Sequence, residues 1–298
     1  MQLGRLLTAM VTPFDAEGNV DYAQAKRLAL ALLESGSDGV VIAGTTGEAP
    51  TLTHDEKMRL FSEVKGAVGN RGSVIAGTGT YNTAESVELS CEAGREGVDG
   101  VLLTTPYYSK PPQEGLYRHF AAIADAVSVP CIIYNIPGRT AVNLTAETQL
   151  RLAELPNIAG VKESSGDLEQ IARIIEEAPP SYRVWSGDDQ LTLPILAVGG
   201  YGLISVVAHL VGAQMRRMIE AQITGEMREA ALIHRRLLPL MTDLMTLGPN
   251  PIPVKYALNE IGFEMGGFRL PLCEPDEATG ARIMDAVHRQ QIDLLATV

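Results

Sequence analysis

The chain has 298 residues, 46% of them hydrophobic and 20% charged, which suits one large core and excludes a disordered or low-complexity protein. A formal net charge of -12 argues against nucleic-acid or anionic-membrane partners. A small anionic substrate would then need a local basic pocket.

Cys91, Cys131 and Cys273 are widely spaced and form no CxxC, so neither a disulfide framework nor a zinc knuckle is indicated. The opening MQLGRLLTAMVTPFDAEG lacks a signal-peptide core before Pro13 and Asp15 interrupt it. No run approaches the roughly 18 apolar residues of a membrane span. A soluble, cytoplasmic protein is expected.

In chain order, LLTAMVTP from Leu6 reads as a buried strand, followed by DYAQAKRLALALLESG at helical spacing. There Leu28, Leu32 and Leu33 share a side and Gly36 ends the helix. GVVIAGTT from Gly39 leads to a helix opened by Thr53, with Glu56 completing a capping box. SVIAGTGT from Ser73, GVLLTTPYY from Gly100, PCIIYNIP from Pro130 and IAGVKESS from Ile158 follow. A helix then starts at Asp167, before RVWSGDD from Arg183 and GLISVVAHL from Gly202. Near-continuous apolar runs of this kind suit parallel strands buried on both faces. Their alternation with helices predicts an α/β fold, a (β/α)8 TIM barrel, over a doubly wound sheet, since no GxGxxG follows the first strand.

After His209 only helical patterns remain. The expected division is a catalytic barrel over 1–225 and a C-terminal helical extension over 226–298 packed on it. Within the extension, GPNPIPVKYAL reads as a turn that starts a packed helix.

Barrel enzymes place their chemistry at the C-terminal ends of the strands. The polar residues collect there: GTTGE (Gly44 to Glu48), TTPYY (Thr104 to Tyr108), YNIPGRT (Tyr134 to Thr140), VKESSGD (Val161 to Asp167) and SGDD (Ser186 to Asp189). Lys162 ends a buried strand, where lost hydration would lower its pKa and free a nucleophilic amine. The position fits equally a lysine that snorkels to solvent or pairs with Glu163. Tyr134 and Tyr108 end neighbouring strands and suit either proton shuttling or packing. Thr45, Thr46 and Gly47 form a small-residue turn able to hold a carboxylate, although such turns are common. Arg139 suits a bidentate carboxylate clamp or a surface ion pair. His54, His119, His209, His234 and His288 show no metal-ligand spacing, and the P-loop and nucleophile-elbow motifs are absent. No metal and no cofactor is expected.

Read jointly, TAMVTPF from Thr8, GTTGEAPTL, GTGTYNTAESVELS, PYYSKPPQEGLYRHF, YNIPGRTAVNL, GVKESSGD, NPIPVKYAL from Asn250 and RLPL from Arg269 occur in a telling order. The chain resembles the dihydrodipicolinate synthase / N-acetylneuraminate lyase superfamily over most of its length. The resemblance implies a class I lyase in which Lys162 forms an imine with pyruvate. Tyr134 would be the acid/base, linked through Thr45 to Tyr108 of a neighbouring subunit. Thr45 and Thr46 would hold the pyruvate carboxylate, and Gly187 and Ile204 would line the pocket.

In the synthase branch an arginine at the place of Arg139 holds the carboxylate of L-aspartate-4-semialdehyde, whereas sialic-acid lyases carry small and apolar residues there. The GRT form therefore implies condensation to 4-hydroxy-tetrahydrodipicolinate, the first committed step of lysine and diaminopimelate biosynthesis. It also supplies the basic pocket that the acidic composition requires. A related pyruvate-dependent aldolase and a catalytically silent barrel are the competing expectations. The resemblance further implies a homotetramer, a dimer of dimers, and a lysine-effector site near Ala49, His54, Lys57, Tyr81, Glu85 and Tyr107. His54, Glu85 and Tyr107 fit that site's pattern, but alanine at 49, lysine at 57 and tyrosine at 81 stand where it has serine, histidine and asparagine, so weak or absent lysine inhibition is expected.

Overall fold

The apolar runs bury both faces, so they pair in parallel rather than leaving one face wet. The computed structural model describes residues 3–294 and contains β1 (Leu6–Ala9), β2 (Gly39–Ile42), β3 (Ser73–Gly77) and β4 (Gly100–Thr104). β5 (Cys131–Asn135), β6 (Ile158–Glu163), β7 (Arg183–Ser186) and β8 (Gly202–Ser205) complete a closed barrel in chain order. Every pairing is parallel, and β1 closes on β8. The eight strands coincide with the eight predicted runs.

The surrounding helices are α1 (Tyr22–Glu34), α2 (His54–Val68), α3 (Thr83–Arg95), α4 (Gln113–Ala126), α5 (Pro137–Thr140) and α6 (Ala146–Ala153). α7 (Leu168–Glu177), α8 (Thr192–Ala197) and α9 (Ala208–Ile223) finish the barrel units. Their starts follow side-chain chemistry: Asp21 accepts from the Gln24 N–H, Asp167 from that of Gln170, and Thr53 and Glu56 form the capping box. α10 (Met227–Thr246), α11 (Ile252–Glu260) and α12 (Glu277–His288) form the C-terminal extension. Residues 295–298 of the predicted extension lie outside the described residues.

Side chains alternate across the wall. Leu7, Val41, Ile75, Leu102, Ile132, Tyr134, Trp185 and Ile204 pack inside the barrel. Val40, Val74, Val101, Ile133, Val161 and Val184 pack outward with the helices. β6 breaks this alternation once. Cys131 is opposite Ile158 but Ile132 is opposite Gly160, so Ala159 is an extra residue on β6. A one-residue slip exchanges the two faces. Ile158 packs with the helix layer, whereas Lys162, four residues on, stands in register between the inward residues Tyr134 and Trp185. Glycine is needed at 160: its φ is +153°, and a Cβ would meet the Arg183 carbonyl oxygen at 1.9 Å.

Candidate active site

Lys162 is 5% exposed, and its Nζ sits 4.3 Å from the centre of the Tyr134 ring. The two residues are register partners on β6 and β5. Burial lowers the Lys162 ammonium from 10.5 to about 8; Asp189 and Asp188 oppose the fall, while the Arg139 guanidinium adds to it. An amine of that basicity has a substantial neutral fraction near pH 7–8. The Tyr134 hydroxyl, in the same buried place, is pushed up to about 12, chiefly by burial, and stays protonated.

Glu163 is not the partner of Lys162. It faces the other side of the wall, fully buried, where Asn135 Nδ2, Gln149 Nε2 and the Ser165 N–H donate to it. Burial raises its pKa despite those bonds. Asn135 also accepts from the Leu144 N–H and donates to Asn143. This network fixes the segments leaving β5 and β6, and their sequence gives no periodic signal of it.

Gly187 lies against the Lys162 stem, and Ile204 packs inside the barrel. A Cβ on Gly187 would fall 2.1 Å from Ser164 Oγ and 2.8 and 2.9 Å from Lys162 Cγ and Cε, so a larger residue here would displace both side chains. Ile204 is fully buried in the interior cluster with Tyr134 and Trp185. Asp189 is fixed by Ser205 Oγ and the Val206 and Val207 N–H groups. Asp188 receives the Gln190 N–H. Burial raises both carboxyls. These two acids, quoted in SGDD but given no role at the sequence level, shape the field on Lys162.

After β2, the Glu48 N–H bonds the Thr45 carbonyl and the Ala49 N–H bonds that of Gly44. The N–H groups of Thr45, Thr46 and Gly47 have no acceptor among the described residues. Thr46 Oγ1 accepts from Asn250 Nδ2 at 2.9 Å, which leaves its own hydrogen to donate. Free amides and hydroxyls in one tight turn suit a carboxylate.

Thr45 and Arg139 line a cavity of about 230 Å³ with Thr104, the register neighbour of Tyr134. Arg139, on α5, forms no ion pair among the described residues, which leaves its fork for a ligand. Ala49, Lys57 and Tyr107 line the same cavity. Glu85 raises the ammonium of Lys57, which burial lowers more strongly. Tyr81 meets Tyr107 edge to face at 5.2 Å, and His54 is bonded to Glu92 at 2.7 Å.

Tyr108 stands apart, 93% exposed with φ +70°, and no hydrogen bond links Tyr134, Thr45 and Tyr108 within the described chain. Among the described residues no cluster of three His, Cys, Asp or Glu side chains is arranged to hold a metal.

The profile of the dihydrodipicolinate synthetase family matches residues 2–290. A 4-hydroxy-tetrahydrodipicolinate synthase from Dehalococcoides mccartyi is 56% identical over 293 residues, covering 98% of each chain. A dihydrodipicolinate synthase structure from Bacillus anthracis superposes with TM-score 0.95 at 42% identity, covering 98% of this chain and 99% of that one. A synthase structure from Cyanidioschyzon merolae with lysine bound has TM-score 0.94 and 46% identity, covering 96% and 98%.

Proposed function

The chain belongs to the dihydrodipicolinate synthetase family, and from that membership we infer that it condenses pyruvate with L-aspartate-4-semialdehyde as a 4-hydroxy-tetrahydrodipicolinate synthase. The observation that carries this reading is a buried lysine of lowered basicity near the C-terminal end of β6, against Tyr134 and Gly187.

The Lys162 amine attacks C2 of pyruvate, and Tyr134 delivers the proton with which the carbinolamine oxygen leaves as water. The Thr45–Thr46 turn holds the pyruvate carboxylate. Loss of a methyl proton gives the enamine, whose carbon attacks the aldehyde while Arg139 holds the semialdehyde's carboxylate. The substrate's own amine then adds to the imine carbon, closes the ring and releases Lys162. One water leaves in the whole sequence, and lysine and diaminopimelate biosynthesis is the pathway served.

Tyr108 fits the end of a proton relay in a neighbouring subunit, because its ring is exposed in the single chain. A homotetramer built as a dimer of dimers accommodates that role. As a biosynthetic enzyme the protein would act in the cytoplasm; among the described residues no helix is long and apolar enough to cross a membrane.

The test couples pyruvate and L-aspartate-4-semialdehyde consumption to the NADPH-dependent reductase of the following step, with Lys162→Ala as control. NADPH loss that vanishes in the control supports the reading, and none with active reductase rejects it. Borohydride trapping of pyruvate on Lys162 separates a different aldolase from a silent barrel.

A further inference from the structure

We propose that the C-terminal helical region is part of the pyruvate site: Lys255 and Asn250 are positioning residues that hold the Gly44–Glu48 turn in its carboxylate-binding shape. This rests on the reading that the turn takes the pyruvate carboxylate. Lys255 Nζ donates to Glu48 Oε1 at 2.8 Å, and both side chains are fully buried. The ammonium is boxed by the Phe14 and Phe268 rings, at 4.1 and 5.1 Å from their centres. Glu48 Oε2 accepts the Arg269 N–H at 3.3 Å. Glu48 itself has φ +55°, a left-handed backbone that a non-glycine residue keeps only when its surroundings enforce it. Asn250 reaches the same turn two residues earlier through Thr46 Oγ1.

Packing alone does not account for this arrangement. A buried ion pair is no more stabilising than well-packed apolar residues of the same volume, because both charges must be desolvated. What the pair supplies is direction. The Glu48 carboxylate is pulled toward α11, and the turn curls with the Thr45, Thr46 and Gly47 amides left without acceptors among the described residues. Gly47 is tight against this, with Thr12 Oγ1 bonding its carbonyl at 2.6 Å. The turn is therefore held from the β1–α1 connection on one side and the C-terminal extension on the other.

The test compares the wild type, the charge-free double variant Glu48→Gln/Lys255→Met, and Asn250→Ala. It measures thermal melting, the pyruvate concentration giving half-maximal borohydride trapping, and the steady-state KM for the semialdehyde. Positioning requires a pyruvate half-saturation raised about tenfold or more in both variants, with the semialdehyde KM and the pH profile of trapping unchanged. A folded double variant with unchanged half-saturation overturns the proposal, whatever its melting point. If the double variant does not fold, Asn250→Ala decides in the same way, since it removes one hydrogen bond and no buried charge. Wild-type protein that traps no pyruvate would instead reject the underlying functional reading.

Discussion

Gly187 on the β7 loop and Lys162 on β6 share one small volume: a Cβ added to the glycine would fall 2.8 Å from the lysine Cγ and 2.1 Å from Ser164 Oγ. The backbone there does not demand glycine for its φ, so the requirement comes from the Ser164 hydroxyl and the lysine stem together. Gly187→Ala should leave the barrel folded, with a small change in melting temperature, and push Lys162 off its path. A shift near 1 Å at a reacting atom costs about a hundredfold in rate. Borohydride trapping of pyruvate by the variant at a wild-type rate would show that the lysine does not use this approach.

The pH dependence of imine formation follows from the surroundings of Lys162. With its pKa lowered to about 8, chiefly by burial, the free amine grows as pH rises through that value. Trapping at low pyruvate should therefore climb through about pH 8 and level off above it. Asp188 favours the ammonium, so Asp188→Asn lowers the pKa and moves the limb to lower pH; Arg139 acts oppositely, so Arg139→Ala moves it higher. Shifts of the same sign in both variants would contradict this electrostatic account.

The barrel was legible because each strand is apolar on both faces and several helices start at a capping side chain, as at Asp21, Thr53 and Asp167. The orientation of Lys162 was not. Plain alternation from Ile158 sends residue 162 toward the helices, and only the extra residue at Ala159 turns it inward. Buried Lys255 was equally hidden, since a charge in an amphipathic helix reads as a solvated face, yet it is fully enclosed against Glu48, 207 positions away. Such pairings depend on which distant segments meet, and local spacing does not encode that.

Arg139 tests the division of labour between the two substrates. Its fork has no protein carboxylate among the described residues, and losing a charged hydrogen-bonded clamp costs about ten- to a hundredfold in binding. Arg139→Ala should raise the KM for L-aspartate-4-semialdehyde by that factor and still form the pyruvate imine at saturating pyruvate. Equal losses in imine formation and in the second half-reaction would place the residue in pyruvate binding instead.

Lys57 bears on regulation. Its ammonium lies in the cavity beside Tyr107 and Ala49, within the field of Glu85. A cation already placed there neutralises the carboxylate that an incoming ammonium would seek and repels that ammonium. Inhibition by free lysine should accordingly be weak or absent, and Lys57→His combined with Tyr81→Asn and Ala49→Ser should strengthen it. Wild-type inhibition in the low- or sub-millimolar range would defeat this expectation.

Tyr108 tests whether sites are shared between subunits. A tyrosine 93% exposed on a left-handed backbone has no packing role in its own chain, so its ring is available to a neighbour. Tyr108→Phe removes the relay hydroxyl and should cut turnover by about a hundredfold, within the range of a lost acid–base step. Lys162→Ala, in turn, lacks the nucleophile but keeps Tyr108. If Tyr108 acts across the interface, some sites in a mixed oligomer pair an intact Lys162 with an intact Tyr108 of the partner, and activity rises well above that of either parent. Denaturing and refolding the two variants together, then assaying the purified mixed species, reads this directly. Hybrids as inactive as their parents, from preparations in which unmixed wild type regains activity, would mean that Tyr108 serves only its own chain or none.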